Sequence, residues 1–303
     1  MVVLSRENPI NTIGSYLKKR FGSKVVKLAL DGGFTCPNRD GTKGTGGCIF
    51  CSSTGSGDTA GDIPSQIRLL SDKWPNAKYI AYLQNHTNTY APSDRLRKVY
   101  DSALSGHEDI LGLAVATRPD CLDDEVLDLL SEYNEKTFMW VELGLQTIHA
   151  STAEKINRCY DLSVFDKAAE ALSARGIKTV VHLIFGLPGE DREMMLDSVR
   201  YVTSKDIFGI KLHLLNVVKN SPLGQEHPDY VPFSSMDEYI NLVCDALEII
   251  PPKITIHRMT GDAPRPILIA PEWSYRKRSI LNGIQLELHR RKTWQGIYAE
   301  TKE

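Results

Sequence analysis

The sequence lacks the features that mark membrane-spanning or secreted chains. No stretch approaches the roughly 18 consecutive apolar residues of a membrane span. The start, MVVLSRENPINTIGSYLKKRFG, has no basic segment followed by an apolar core, so no signal peptide is expected and a cytoplasmic location follows. Six cysteines in 303 residues are too sparse for a disulfide scaffold. Internal repeats, low-complexity tracts and a second C-x-x-C pair are also missing, and the last absence argues against a zinc ribbon. With 42% hydrophobic and 24% charged residues, the composition is that of a globular protein, long enough for one large α/β domain or two small ones.

Charge of one sign is scarce in the middle of the chain. Residues 1–30 carry six Lys/Arg against Glu7, and residues 253–303 carry ten against five acids, so each end is +5. The total is −2, which leaves −12 on residues 31–252. Two basic ends on an acidic body predict a polyanion-binding surface if the ends meet in space, or two solvated faces if they do not.

Apolar, β-branched runs occur at 24–30, 78–84, 110–117, 138–146, 177–186 and 208–218. Amphipathic stretches with helical spacing separate them, Pro92-Ser93-Asp94 opening one and Gly176 closing another. Six strands alternating with helices predict parallel βαβ units, and strands apolar at nearly every residue predict a sheet covered on both faces. A doubly wound sheet and a barrel both satisfy this pattern, and both bind ligands at the C-terminal ends of their strands. The pattern changes after residue 252: a strand at 254–259, a Pro-rich turn, then a basic helical run from about 272 to 292. The expected organisation is a basic segment 1–24, a core 25–252 and a basic extension 253–303 that caps the core or binds substrate.

The loop after the first strand, GGFTCPNRDGTKGTGGCIFCS, holds three of the six cysteines in the spacing Cys36-x11-Cys48-x2-Cys51. A closed zinc site needs a fourth ligand, and the next downstream candidate, His86, lies beyond the second strand. Three thiolates on an iron–sulfur cluster leave one iron open for a substrate or cofactor. Both readings stay open on spacing alone. Cys121, Cys159 and Cys244 stand apart and are expected as small buried apolar side chains.

Cys48-Ile49-Phe50-Cys51 resembles the second half of the radical S-adenosylmethionine (SAM) cysteine motif, with eleven residues in the first gap instead of three. Gly186-Leu187-Pro188-Gly189-Glu190 is similar to the G-L-P-G-E of the coproporphyrinogen-oxidase and elongator-acetyltransferase branches. Glu142-Leu143-Gly144-Leu145-Gln146 and Thr117-Arg118-Pro119-Asp120 resemble the E-L-G-x-Q and T-R-P-D of the same proteins. Together with D-G-G-F-T-C-P-N-R-D-G at 31–41 and Q-N-H-T-N-T-Y-A-P at 84–92, the chain resembles the YtqA/YhcC-like radical SAM subgroup, MnmL-like in type, over essentially its whole length.

That resemblance implies an incomplete (β/α)6 TIM-like barrel with a basic C-terminal extension. It implies a [4Fe–4S] cluster on Cys36, Cys48 and Cys51, and SAM cleaved reductively to a 5′-deoxyadenosyl radical. Gln84, Glu142, Gln146, Arg158, His182 and Gly186 become the candidate SAM-binding residues. No G-G-E motif is present, so Gln84 is the candidate for the SAM amino group. Each residue also has a plainer reading: a tight turn at Gly186, a core histidine at His182, a surface cation at Arg158. Glu142 is less plain, because a carboxylate among apolar strand residues costs several kcal/mol unless paired.

For substrate, the resemblance implies tRNA, its wobble uridine remodelled from 5-carboxymethylaminomethyl towards 5-aminomethyl, with an external electron donor of flavodoxin or ferredoxin type. Unactivated C–H bonds require such cofactor chemistry. Arg276, Lys277 and Arg278, interleaved with Trp273 and Tyr275, are the candidate RNA contacts. The same run also fits an amphipathic helix with Ile280, Ile284 and Leu288 facing inward. Two alternatives remain: a radical SAM enzyme acting on a small molecule or protein, and a zinc-stabilised RNA-binding protein without activity.

Overall fold

A computed structural model describes residues 4–52, 55, 60–261 and 263–299, so residues 1–3 and 300–303 of the two basic ends lie outside the described residues. The chain runs α1 (Ile13–Phe21), β1 (Val25–Leu30), α2 (Ile63–Ser71), β2 (Lys78–Leu83), α3 (Ser93–Ser105), β3 (Ile110–Thr117), α4 (Asp124–Lys136) and β4 (Phe138–Gln146). Then follow α5 (Ala150–Lys155), α6 (Leu162–Ala174), β5 (Lys178–Phe185), α7 (Arg192–Thr203) and β6 (Gly209–Leu214). The remainder is β7 (Val217–Val218), α8 (Pro222–Glu226), α9 (Met236–Ile249), β8 (Thr255–Arg258), β9 (Leu268–Ala270) and α10 (Lys277–Arg291). Side-chain caps start several helices: Asp62, Asp123, Asp191 and Ser235 each accept from a backbone N–H of the first turn.

Seven strands form one parallel sheet in the order β1-β2-β3-β4-β5-β6-β8. The sheet curls into an open barrel. Lys27 on β1 comes within 3.7 Å of Glu142 on β4, and Lys211 on β6 donates to the Tyr82 hydroxyl on β2 at 2.9 Å. Helix α1 packs against both edge strands, and Thr12 bridges to Ile256 on β8. Its Tyr16, Leu17 and Phe21 join Phe138, Trp140 and Phe208, which lie at or near the beginnings of β4 and β6. An apolar plug therefore closes the N-terminal end of the barrel, while the main core lies between the sheet's outer face and the helices.

Two expectations change here. The strand expected at 254–259 in the extension is β8 (Thr255–Arg258), and it pairs with β6 as the seventh strand of the core sheet. The run at 208–218 is two strands. It breaks at Leu215-Asn216, and β7 then pairs antiparallel with β9. The extension itself runs through a 3-10 turn at Glu272–Tyr275 before α10 lies along α9, burying Ile280, Ile284 and Leu288.

The basic ends do meet, but at the plugged end of the barrel. Gln295 Oε1 accepts from the Asn11 N–H at 2.9 Å, and Gln295 Nε2 donates to the Ile254 carbonyl at 2.8 Å, just ahead of β8. Arg290 and Arg291 are also spent locally, on Glu287, Asp245 and Glu248. The N-terminal cations thus do not flank the barrel mouth.

Candidate active site

The cysteine loop leaves β1 at the C-terminal end of the barrel, and its eleven-residue gap is folded rather than slack. Arg39 and Asp40 N–H both turn back to the Cys36 carbonyl, Gly47 N–H donates to Asn38 O, and Asp40 bridges to Thr45. The knot is tied to the connection between α5 and α6. Asn38, fully buried, donates through Nδ2 to Asn157 O at 2.6 Å, while Asn157 Nδ2 donates to the carbonyls of Thr45 and Gly47 at 3.0 and 2.8 Å. Glycine is required at Gly44, because a Cβ there would stand 2.2 Å from Asn38 Oδ1 and 2.8 Å from Cys159 Sγ. The C-x-x-C half is pinned separately by Ile49, whose N–H donates to Ile156 O and whose carbonyl accepts from Leu223 N–H.

Cys36, Cys48 and Cys51 line one cavity and are free thiols. The hydrogen bond from Cys51 brings the Cys48 thiol down to about 7, aided by Arg118, Asn38 and Arg39, while the same bond and burial push Cys51 well up. A loop that readies a thiolate with arginines and an amide suits an anionic cluster. Among the described residues no three His, Cys, Asp or Glu side chains gather closely enough for a single metal ion. A cluster that takes one thiolate per iron accepts the wider spacing. Of the cysteines expected to be buried, Cys244 is; Cys121 is half-buried and Cys159 exposed.

Gln84, Glu142, Gln146, Arg158 and His182 line the same cavity as the cysteines. Gln146 ends β4 with φ at 71°, a left-handed conformation that β4 reaches through a register shift after Gly144. His86, also on the wall, has φ at 58°, and strained non-glycine residues gather at functional sites. Arg158 is buried and fixed: it donates to the carbonyls of Leu145, Thr147 and Tyr160 and stacks on the Tyr160 ring at 4.4 Å. Gly186 stands apart from the wall. A Cβ there would meet Pro232 at 2.7 Å and Phe233 at 2.8 Å, and its φ is 88°, so the turn explains the glycine.

Glu142 is wholly buried halfway down the barrel, where its carboxylate is fully engaged. It accepts from Trp140 Nε1 at 2.9 Å, from His182 Nε2 at 2.8 Å and from Lys211 Nζ, with Lys27 Nζ beyond at 3.7 Å. Burial alone would raise its pKa, but Lys211, Lys27 and the His182 bond hold it well below the usual range. Burial, with Lys211 adding to it, brings His182 down to about 4. Sequence reasoning marked Glu142 as needing a partner but missed Lys211, which carried the same signal: a lone charge inside the apolar strand FGIKLHLL. It also missed Asn157 and Arg258, which sit in irregular or terminal positions where no periodicity marks them.

Arg276, Lys277 and Arg278 are exposed and lie off the cavity wall, at the start of α10. Arg276 Nε is 3.3 Å from the Tyr275 hydroxyl, and Arg265 lies over the same ring at 4.5 Å. Arg265 follows closely after Gly261 and Ala263, which line the cavity.

Parallel strands curled into an open barrel, with three thiols on the loop after β1, define the architecture of radical SAM enzymes. The chain belongs to that superfamily: the Radical SAM superfamily model matches residues 39–202 and the Radical_SAM C-terminal domain residues 207–290. Enzymes of this superfamily bind a [4Fe–4S] cluster and SAM. The chain is similar to the uncharacterized protein YtqA of Bacillus subtilis (strain 168), at 46% identity over 98% of this chain and 95% of that protein. A tRNA uridine(34) acetyltransferase of Methanocaldococcus jannaschii is 27% identical over 52% of this chain and 30% of that protein. The fold is shared with the archaeal Methanocaldococcus infernus Elp3 at a TM-score of 0.64 and 18% identity, covering 76% of this chain and 58% of that one. Among the described residues no helix is long and apolar enough to cross a membrane.

Proposed function

We propose that this radical SAM enzyme acts on the wobble uridine of tRNA, taking a 5-carboxymethylaminomethyl side chain towards 5-aminomethyl. Cys36, Cys48 and Cys51 hold the [4Fe–4S] cluster, which when bound supplies the electron for SAM cleavage. Gln84, Gln146, Arg158 and His182 line the SAM site; Glu142 supports it from below, and Gly186 shapes the turn behind it. A flavodoxin- or ferredoxin-type donor reduces the cluster, and a tRNA substrate places the enzyme in the cytoplasm. Of residues 253–303, the part beyond the core strand β8 acts as the substrate-binding extension to the core.

The observation that carries this reading is the rim beside the cavity, where Arg265 and Arg276 flank the exposed Tyr275. Cations neutralise phosphates and an exposed aromatic ring stacks on an unpaired base, which suits an anticodon loop. The similarity to a tRNA uridine(34) acetyltransferase supports the same substrate class. The test is anaerobic incubation of cluster-loaded enzyme with SAM, a reductant and tRNA from a strain lacking the protein, followed by nucleoside mass spectrometry. Loss of the carboxymethylaminomethyl nucleoside is expected. Unchanged nucleosides alongside continued SAM cleavage would refute the reading.

A further inference from the structure

The cavity carries far more positive than negative charge. Among the described residues five cationic side chains line it and Glu142 is its only carboxylate. Some of these cations have structural employment: Arg118 pairs with Asp120, and Arg158 is spent on carbonyls. Lys211 is 2% exposed and shares the single Glu142 carboxylate with the half-buried Lys27, so two ammonium groups face one counter-charge. Burial drives both lysines towards the neutral form, as expected where a charge lacks its anion. Arg258 adds a further cation to the same wall.

Beside Lys211, on the same strand, His213 also lines the cavity, and its Nε2 has no hydrogen-bond partner. Its ring packs on His182 with centroids 5.0 Å apart. Burial holds this imidazole neutral, so with its proton on Nε2 it is a donor without an acceptor. A buried ammonium in excess and an unused ring nitrogen on adjacent inward positions of one strand form a receptor for a compact anion.

We infer that this floor, built from Lys211 and His213 with Arg258 beside them, seats a carboxylate carried by the substrate. The inference rests on the wobble-uridine reading, in which the carboxymethylaminomethyl group ends in such a carboxylate. Anchored there, the group places its adjoining carbons in the space between the floor and the cysteine loop. A substrate lacking the acid would leave the excess charge unmatched, so the floor also selects against the product.

The test uses cluster-loaded enzyme saturated with SAM, under anaerobic conditions and at constant ionic strength. Melting temperature is followed against glycine, acetate and glycine methyl ester. The two carboxylates should raise it saturably and the ester should not; Lys211→Met should abolish the response, and Arg258→Gln should weaken it. The acid-versus-ester comparison in the parent protein stands even if Lys211→Met fails to fold. No saturable shift with either carboxylate, or an equal one with the ester, overturns the inference. A shift seen only without SAM assigns the floor to SAM's own carboxylate and also overturns it. A second arm compares binding of tRNA whose wobble uridine carries the carboxymethylaminomethyl group with tRNA carrying its methyl ester. The ester should bind about tenfold more weakly. If the two tRNAs bind alike while free carboxylates still protect the enzyme, the tRNA reading fails and the anion floor stands.

Discussion

The two ends of the barrel are built on opposite principles. At the N-terminal end, Tyr16 and Phe21 of α1 meet Phe208 and Phe138 edge to face, Leu17 and Trp140 pack in the same cluster, and Arg20 caps the Phe138 ring at 4.6 Å. At the C-terminal end the wall is made of thiols, amides, arginines and left-handed residues held by loop hydrogen bonds. Between them lies one layer, Glu142 with Lys27, Lys211 and His182, where two lysines share one buried carboxylate and the charge is only partly compensated. Stability is thus concentrated where no ligand goes, which lets the mouth keep strained backbone and excess positive charge that a packed core would reject.

The strongest test of that division removes function without removing the fold. Replacing Cys36, Cys48 and Cys51 together with Ala should abolish iron binding and reductive SAM cleavage entirely. The metal-free variant should melt within about 1 kcal/mol of the metal-free parent, since none of the three belongs to the apolar core. Iron and sulfide analysis with calorimetry decides it. Retained iron would remove these residues as ligands.

The converse substitution acts at the plug. Phe138→Ala removes a ring, 8% exposed, that touches Tyr16, Phe21, Trp140 and Phe208, and should cost about 3–5 kcal/mol. Iron per folded molecule should stay at the parental value. Urea unfolding read alongside iron content would expose any coupling between the ends as a parallel loss of iron.

The middle layer has its own signature in pH. His182 is at about 4 in the folded protein and near 6.5 when unfolded, so between these values the unfolded chain binds the extra proton. Stability should therefore be complete above about 6.5 and fall as pH drops towards 4, by about 3 kcal/mol from this group. His182→Gln should flatten that slope. Some slope should remain, because His213 is shifted in the same direction. Urea midpoints taken from pH 7 to 4.5 measure it, and an unchanged slope in the variant would mean that His182 does not titrate in this window.

Much of this division is legible in the sequence. The six apolar runs lie close to the strands they predict, and Cys36, Cys48, Cys51, Gln84, Glu142, Gln146, Arg158 and His182 all reach one cavity, because strand periodicity and motif spacing are local properties. What is not legible depends on distant partners. Asn38 and Asn157 are 119 positions apart, and only the closed fold reveals that they tie the long cysteine gap to the connection between α5 and α6. Lys211 finds Glu142 across 69 positions. The basic ends look like one surface in the sequence because charge counts carry no direction; the meeting of residues 9–12 with 293–296 puts the N-terminal cations at the plug.

That placement yields the smallest and most discriminating prediction. Lys18 and Lys19 are exposed on α1 at the plugged end, whereas Arg276, Lys277 and Arg278 are exposed beside the Tyr275 rim. If RNA enters at the mouth, each rim cation that meets a phosphate releases counterions, and the slope of log affinity against log salt falls by about 0.7–0.9 for each phosphate no longer neutralised. Replacing the three rim cations with Ala should therefore weaken tRNA binding several-fold at physiological salt and lower its slope. Lys18→Ala with Lys19→Ala removes two like charges from the other end and should leave both quantities unchanged. Filter binding at several salt concentrations compares the two variants directly. Equal losses from both would mean that the RNA contacts the whole length of the molecule, and the rim would lose its claim to the substrate. A loss from the rim alone would show that the end carrying the cysteines also carries the polyanion surface, although the two ends have equal formal charge in the sequence.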